Sequence, residues 1–180
     1  MTDAQTLAVY DAKIDDYLHL TQAPPSKSLL AFIKAIPAGG RVLDLGCGPG
    51  LAAAEMVRQG CDVEAIDGSA EMVAAASKHP GVTARQATFD DLPSQATYHG
   101  IYVNFSLLHA TRADFKRHIQ ACHASLFPGG SFHLAMKLGT GEKRDTLGRF
   151  YSYYTAEELE DILLQADYGC YGRSEEFEDG

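Results

Sequence analysis

No stretch of this 180-residue chain approaches the ~20 consecutive apolar residues that a membrane span requires. The opening residues, MTDAQTLAVYDAKIDDY, are acidic and polar and do not fit a secretory signal. There are four cysteines, Cys47, Cys61, Cys122 and Cys170, with no CxxC pair among them. That spacing argues against a disulfide frame or a zinc-ligand set, and predicts reduced thiols, a cytoplasmic protein and no metal. Basic residues are also short, 15 against 24 acids for a net charge of −9, which disfavours a nucleic-acid partner. No internal repeat, low-complexity tract or composition break divides the chain. With 46% hydrophobic residues it reads as one domain over 1–180, long enough to bury a real core.

What is present is an alternation of strands and helices. Residues 4–20 and 26–36 read as helices separated by Ala23-Pro24-Pro25, with Ser26 as N-cap of the second. Strand patterns follow at 41–45, 62–66, 82–87, 99–104 and 131–138, alternating with helices at 51–59, 70–78, 112–126 and 155–166. This order predicts an α/β fold: a Rossmann-like, doubly wound, mostly parallel sheet of about six strands in a three-layer α/β/α arrangement. Ligands of such sheets bind beyond the carboxyl ends of the strands, so the residues just after each strand are where chemistry is expected.

After the first strand the chain runs D-L-G-C-G-P-G, with Gly46, Gly48 and Gly50 in a turn that opens a helix near Leu51. Such a turn exposes helix N-terminal N–H groups and lets a ligand approach bare backbone. Asp67 ends the second strand, placed to accept both hydroxyls of a ribose. Both features predict a nucleoside-containing ligand. The dinucleotide fingerprint G-x-G-x-x-G would need glycine at position 51, where Leu51 stands, which disfavours an NAD-dependent oxidoreductase.

The spacing G-x-G-x-G, with Asp44 two residues upstream, resembles the first motif of the class I S-adenosylmethionine-dependent methyltransferases, DLGCGxG. The resemblance extends from about residue 40 to 168. It includes AIDGSAEM (65–72), ATFDDLP (87–93), NFSLLH (104–109) and LFPGGSFHLAMK (126–137). It implies S-adenosylmethionine as cofactor, with Gly46, Cys47, Gly48 and Gly50 along its methionine part and Asp67, Gly68 and Met72 on the nucleoside. Asp44 is expected either to fix the loop or to meet the cofactor ammonium through water. In the third segment Thr88 replaces the family's acid; Phe89 keeps a backbone N–H for the adenine, and Thr88 Oγ1 or Asp90 is left to substitute. Asn104 closes the set after the fourth strand. Tyr10 and Tyr17, on a helical cover formed by residues 1–38, are expected over the cofactor, or else as half-buried core residues.

For the reaction, the resemblance implies methyl transfer to an acceptor, a process in which a dedicated base is optional. His109, just past the fourth strand, reads either as a packing or capping residue or as a general base. Residues 139–154 form a long polar segment at the active edge and read as a site loop, with Arg149 and Tyr151, beside Tyr17, on the acceptor side and Arg144 a lesser candidate. The DNA-amino methyltransferase signature [ND]-P-P-[YF] is absent, so a small-molecule acceptor is expected, with no nucleic-acid or membrane partner, in a monomer or homodimer. A non-catalytic cofactor-binding module on the same fold is the alternative. Residues 168–180 supply one strand and a turn, whereas the family usually ends in an antiparallel hairpin. The expectation is a chain that stops short of that last strand, or a partner subunit covering the edge, with weakly protected amides at 169–176.

Overall fold

A computed structural model describes residues 3–18, 24–169 and 172–174. Its centre is β1 (Arg41–Leu45), in which Val42, Leu43 and Leu45 are fully buried. β2 (Asp62–Asp67) and β3 (Thr83–Gln86) lie to one side, and β4 (Tyr98–Asn104) and β5 (Leu126–Ala135) to the other. The order is β3-β2-β1-β4-β5 and every pairing is parallel. The chain therefore winds outward from β1 and then returns, leaving a crevice between the carboxyl ends of β1 and β4.

Because successive side chains on a strand point to opposite faces, the two faces build separate cores. Leu43, Leu45, Ile66, Ile101 and Val103 pack with Phe115 and Ile119 of α6 (Arg112–Ser125) and Ile162 of α7 (Ala156–Gln165). Val42, Val63, Ala65 and Tyr102 pack instead with Phe32 of α3 (Lys27–Ala35) and Met56 of α4 (Leu51–Arg58). Helix α5 (Ala70–Ala76) is capped by Ser69, and Ser26 caps α3 as its sequence predicts.

Three boundaries differ from the sequence reading. The first helix is broken: α1 (Ala4–Ala12) stops at Lys13, whose N–H caps Val9 and Tyr10, and α2 (Ile14–Leu18) follows. β5 starts at Leu126, directly after α6, because Leu126 pairs with Tyr98 across a register shift. The segment 139–154 holds an antiparallel hairpin, β6 (Glu142–Arg144) and β7 (Phe150–Ser152). The chain-end expectation falls in part outside the described residues, which leave out Cys170 and half of 169–176; among those described, β5 pairs with β4 alone. Among the described residues no helix is long and apolar enough to cross a membrane.

Candidate active site

The loops after β1 and β4 touch at the crevice. A Cβ on Gly46 would lie 2.2 Å from that of Ser106, and one on Gly50 would lie 2.7 Å from Ala76 Cβ on α5. Both positions also have positive φ, 74° and 83°. Protein packing alone thus already requires glycine at these two positions, and of the three loop glycines Gly48 faces open space. Gly50 caps α4 without a side-chain bond, and the Ala53 N–H in the first turn of α4 donates to the Asp44 carboxyl.

Two carboxylates flank this loop. Asp67 Oδ2 accepts from Gly48 N at 2.9 Å and Oδ1 accepts from Ser69 N at 2.9 Å, which ties the ends of β1 and β2 together. Asp44 is 3% exposed and its Oδ2 has no partner. Burial, reinforced by the Asp67 charge, pushes the Asp44 carboxyl up to about 7. An unpaired buried carboxylate is costly, and a cationic group seated beside it would relieve that cost. Cys47 is buried and its thiol is raised by burial, so it fills space as a neutral side chain.

Helix α1 spans the crevice. On the β2 side, Leu7 occupies the space a side chain on Gly68 would need, and Asp11 Oδ1 accepts from Ser69 Oγ at 2.5 Å. On the other side it meets the β6–β7 hairpin through a row of polar contacts. Arg144 forks onto Asp3, the N-cap of α1, at 2.8 and 3.0 Å, Phe150 N donates to Thr6 Oγ1 at 2.8 Å, and Arg149 donates to Tyr17 Oη of the adjoining α2 at 2.7 Å. Thr6 is the one buried residue of α1, so the helix is held by hydrogen bonds more than by apolar burial.

Tyr10, Tyr17, His109, Arg149 and Tyr151, proposed separately from sequence, converge here. The Arg149 guanidinium lies 5.6 Å from the Tyr10 ring centre and 5.4 Å from that of Tyr151, and pairs with Asp145 at 2.7 Å. Tyr10 packs 5.4 Å from Tyr17, and His109 lies between Tyr10 and Tyr151. Burial raises the phenols of Tyr10 and Tyr151 and lowers His109 to about 4, so all three are neutral near pH 7.

Other expected residues are engaged elsewhere. The Thr88 hydroxyl closes a capping box with Asp91, and Asp90 pairs with Arg117 of α6 at 2.6 Å, so neither offers a free group for adenine. Phe89 and Met72 are buried, Phe89 against His118. Asn104 is exposed at the end of β4, 3.3 Å from His133 Nε2. Arg144 stays at the outer end of the hairpin, on Asp3. Sequence reasoning missed Asp3, Thr6, Asp11 and Asp145; Asp3, Thr6, Tyr10 and Tyr17 share helical spacing, which was the available signal. It also missed Phe105, which follows β4 with φ of 54° and is 50% exposed. A bulky side chain in left-handed backbone is strained, and such strain gathers at functional sites.

The sheet order, the glycine turn and the acid ending β2 define a Rossmann-like fold of the class I methyltransferase type. Residues 42–130 match the family model described as a methyltransferase domain. Together with the curated O-methyltransferase relatives and the methyltransferase structures below, this match bears out the resemblance to the class I S-adenosylmethionine-dependent methyltransferases. A ubiquinone biosynthesis O-methyltransferase of Xanthomonas axonopodis pv. citri is 36% identical over 106 residues, 55% of this chain and 44% of that protein. The chain thus spans less than half the length of the curated relatives it matches. Among solved structures, 1,6-didemethyltoxoflavin-N1-methyltransferase of Burkholderia thailandensis, with 1,6-didemethyltoxoflavin and S-adenosylhomocysteine bound, aligns with a TM-score of 0.74 at 21% identity, covering 91% of this chain and 76% of that one. The DhpI–SAH complex aligns at 0.67 and 24% identity, over 90% and 85%.

Proposed function

We propose that this protein binds S-adenosylmethionine in the crevice between β1 and β4 and transfers its methyl group, by in-line displacement, to a small-molecule acceptor held under the hairpin. The observation that carries this is the buried Asp44 Oδ2, which has no partner, together with the open space at Gly48 and the Asp67 carboxylate at the end of β2. This site lacks a cationic partner and offers a loop that a ligand can touch, which fits a ligand carrying ammonium and sulfonium groups. The relatives' names, O- and N1-methyltransferases with S-adenosylhomocysteine in two of the neighbours, support the same reading.

In this reading, Gly46, Cys47, Gly48 and Gly50 bound the cofactor's methionine part, and Asp67, Gly68, Met72, Asn104 and the backbone N–H of Phe89 its nucleoside. When bound, S-adenosylmethionine supplies the electrophilic methyl. The protein's own work is to orient the acceptor and exclude water. Arg149, Tyr17 and Tyr151 form the acceptor wall: a guanidinium against the Tyr151 ring and bonded to the Tyr17 hydroxyl gives a flat, partly charged surface suited to a conjugated or oxygen-bearing small molecule. The net charge of −9 is consistent with a small acceptor in place of nucleic acid. The unbridged Cys47, Cys61 and Cys122 agree with a reducing, cytoplasmic setting.

The test is formation of S-adenosylhomocysteine across a panel of phenolic, amine and carboxylate acceptors. Turnover on at least one, lost in Arg149→Ala with cofactor affinity kept, is the expected result. Cofactor binding with no turnover on any acceptor, or an Arg149→Ala enzyme as fast as wild type, would contradict it.

A further inference from the structure

His109 sits at the centre of the mouth with both ring nitrogens engaged. Nδ1 lies 2.6 Å from the Phe150 carbonyl oxygen, and Nε2 lies 2.7 Å from Tyr10 Oη. A carbonyl oxygen only accepts, so Nδ1 carries the proton. In the neutral ring Nε2 is then an acceptor, and Tyr10 must donate to it. One chain of bonds follows: Tyr10 O–H to His109 Nε2, and His109 Nδ1–H to the Phe150 carbonyl. It joins three elements, α1, the turn after β4, and β7.

This arrangement leaves His109 poorly suited to remove a proton from a substrate, because its only basic lone pair is taken. Tyr10 is in the opposite position. Its hydrogen is committed to the imidazole, so its oxygen lone pairs are turned away from His109 and toward whatever lies beside it. Donation along a chain polarises the donor oxygen, making it a better partner for a cation. The ring itself is held by the Arg149 guanidinium above its face and by Tyr17 at 5.4 Å.

We propose that His109 is a positioning residue and not a base: with the Phe150 carbonyl it fixes the Tyr10 hydroxyl over the mouth, and Tyr10 is the group of this chain that meets the bound ligand. The proposal rests on the assignment of the crevice to S-adenosylmethionine. The charged and titratable groups facing His109 are Arg149 and Asp145 from the hairpin, Asp3 from the start of α1, and the phenols of Tyr10 and Tyr151. The opposing effects of Arg149 and the two acids leave burial as the dominant influence, which keeps the ring neutral.

A double-mutant cycle on S-adenosylhomocysteine binding, read by titration calorimetry, tests it without needing the acceptor. If His109 acts only through Tyr10, Tyr10→Phe and His109→Ala each weaken binding several-fold, and the double variant is no weaker than Tyr10→Phe alone. His109→Gln, which restores an acceptor for Tyr10, recovers most of the loss. Additive losses would overturn the proposal, as would unchanged binding in Tyr10→Phe. Nitrogen-15 histidine NMR of the wild type gives an arm independent of the variants' folding. The expected His109 signals are those of the Nδ1–H tautomer, without titration between about pH 5 and 8, and a proton on Nε2 or a titration in that window would also overturn it. If the wild type binds no S-adenosylhomocysteine, the assignment of the crevice itself is wrong.

Discussion

If Asp44 faces the cofactor's cationic group as proposed, its proton and that cation compete. Its carboxyl is raised by burial and by Asp67 to about 7, so it is mostly neutral below that pH and mostly ionised above it. Affinity for S-adenosylmethionine should therefore fall as pH drops below about 7, approaching tenfold per unit, and level off above it. Asp44→Asn should flatten that dependence, and calorimetry across this range reads both. The same shift bears on folding with the opposite sign. A carboxyl whose folded pKa is raised contributes stability that is present at low pH and lost as pH rises through the folded value. Asp44→Asn should accordingly be more resistant to urea than wild type at pH 8, and a less resistant variant would contradict the burial argument. Phe105 gives the second prediction at this scale. Its left-handed backbone costs roughly 1–2 kcal/mol that glycine would not incur, so Phe105→Gly should melt no lower than wild type while turning over more slowly. A sharp loss of melting temperature would show that the ring is structural. His109, Arg149 and Tyr151 were legible as candidates from their place after strand ends, and Tyr10 and Tyr17 from their helical spacing near the N-terminus and the family resemblance. Their pairing was not: Tyr10 and His109 are 99 residues apart, and no local pattern encodes such a bond.

At the scale of elements, the hairpin and α1 act as a pair. The turn between β6 and β7 is organised by Asp145, whose Oδ1 accepts from Leu147 N and Arg149 N while Oδ2 accepts from the Arg149 side chain. Asp145→Ala removes all of these at once and should cost about 1–3 kcal/mol, read from the urea midpoint. It should also speed hydrogen exchange in α1, because Phe150 N donates to Thr6 and the Arg149 guanidinium lies over the Tyr10 ring of that helix. Unchanged exchange in α1 would show that the two elements are independent. The sheet strands and flanking helices were legible because each buries one face and shows its period. The hairpin was not. Glu142, Lys143 and Arg144 are all exposed, so β6 carries no apolar alternation, and its partner strand is only three residues long. The break at Lys13 was equally hidden, since the residues on either side of it are acceptable in a continuous helix.

For the molecule as a whole, α1 ties the two halves of the sheet's carboxyl edge together, meeting Gly68 and Ser69 on the β2 side and His109 and the hairpin on the β4–β5 side. A ligand in the crevice would touch parts contributed by both halves, and its binding should stabilise them together. The most direct measurement is a calorimetric titration of the wild type and Asp67→Ala with S-adenosylhomocysteine and, separately, with NADH. The account predicts one molecule of S-adenosylhomocysteine per chain, affinity lowered about tenfold or more in Asp67→Ala by loss of its charge-assisted bonds, and no binding of NADH. Binding of NADH in place of S-adenosylhomocysteine, or S-adenosylhomocysteine affinity unchanged by the loss of Asp67, would contradict it.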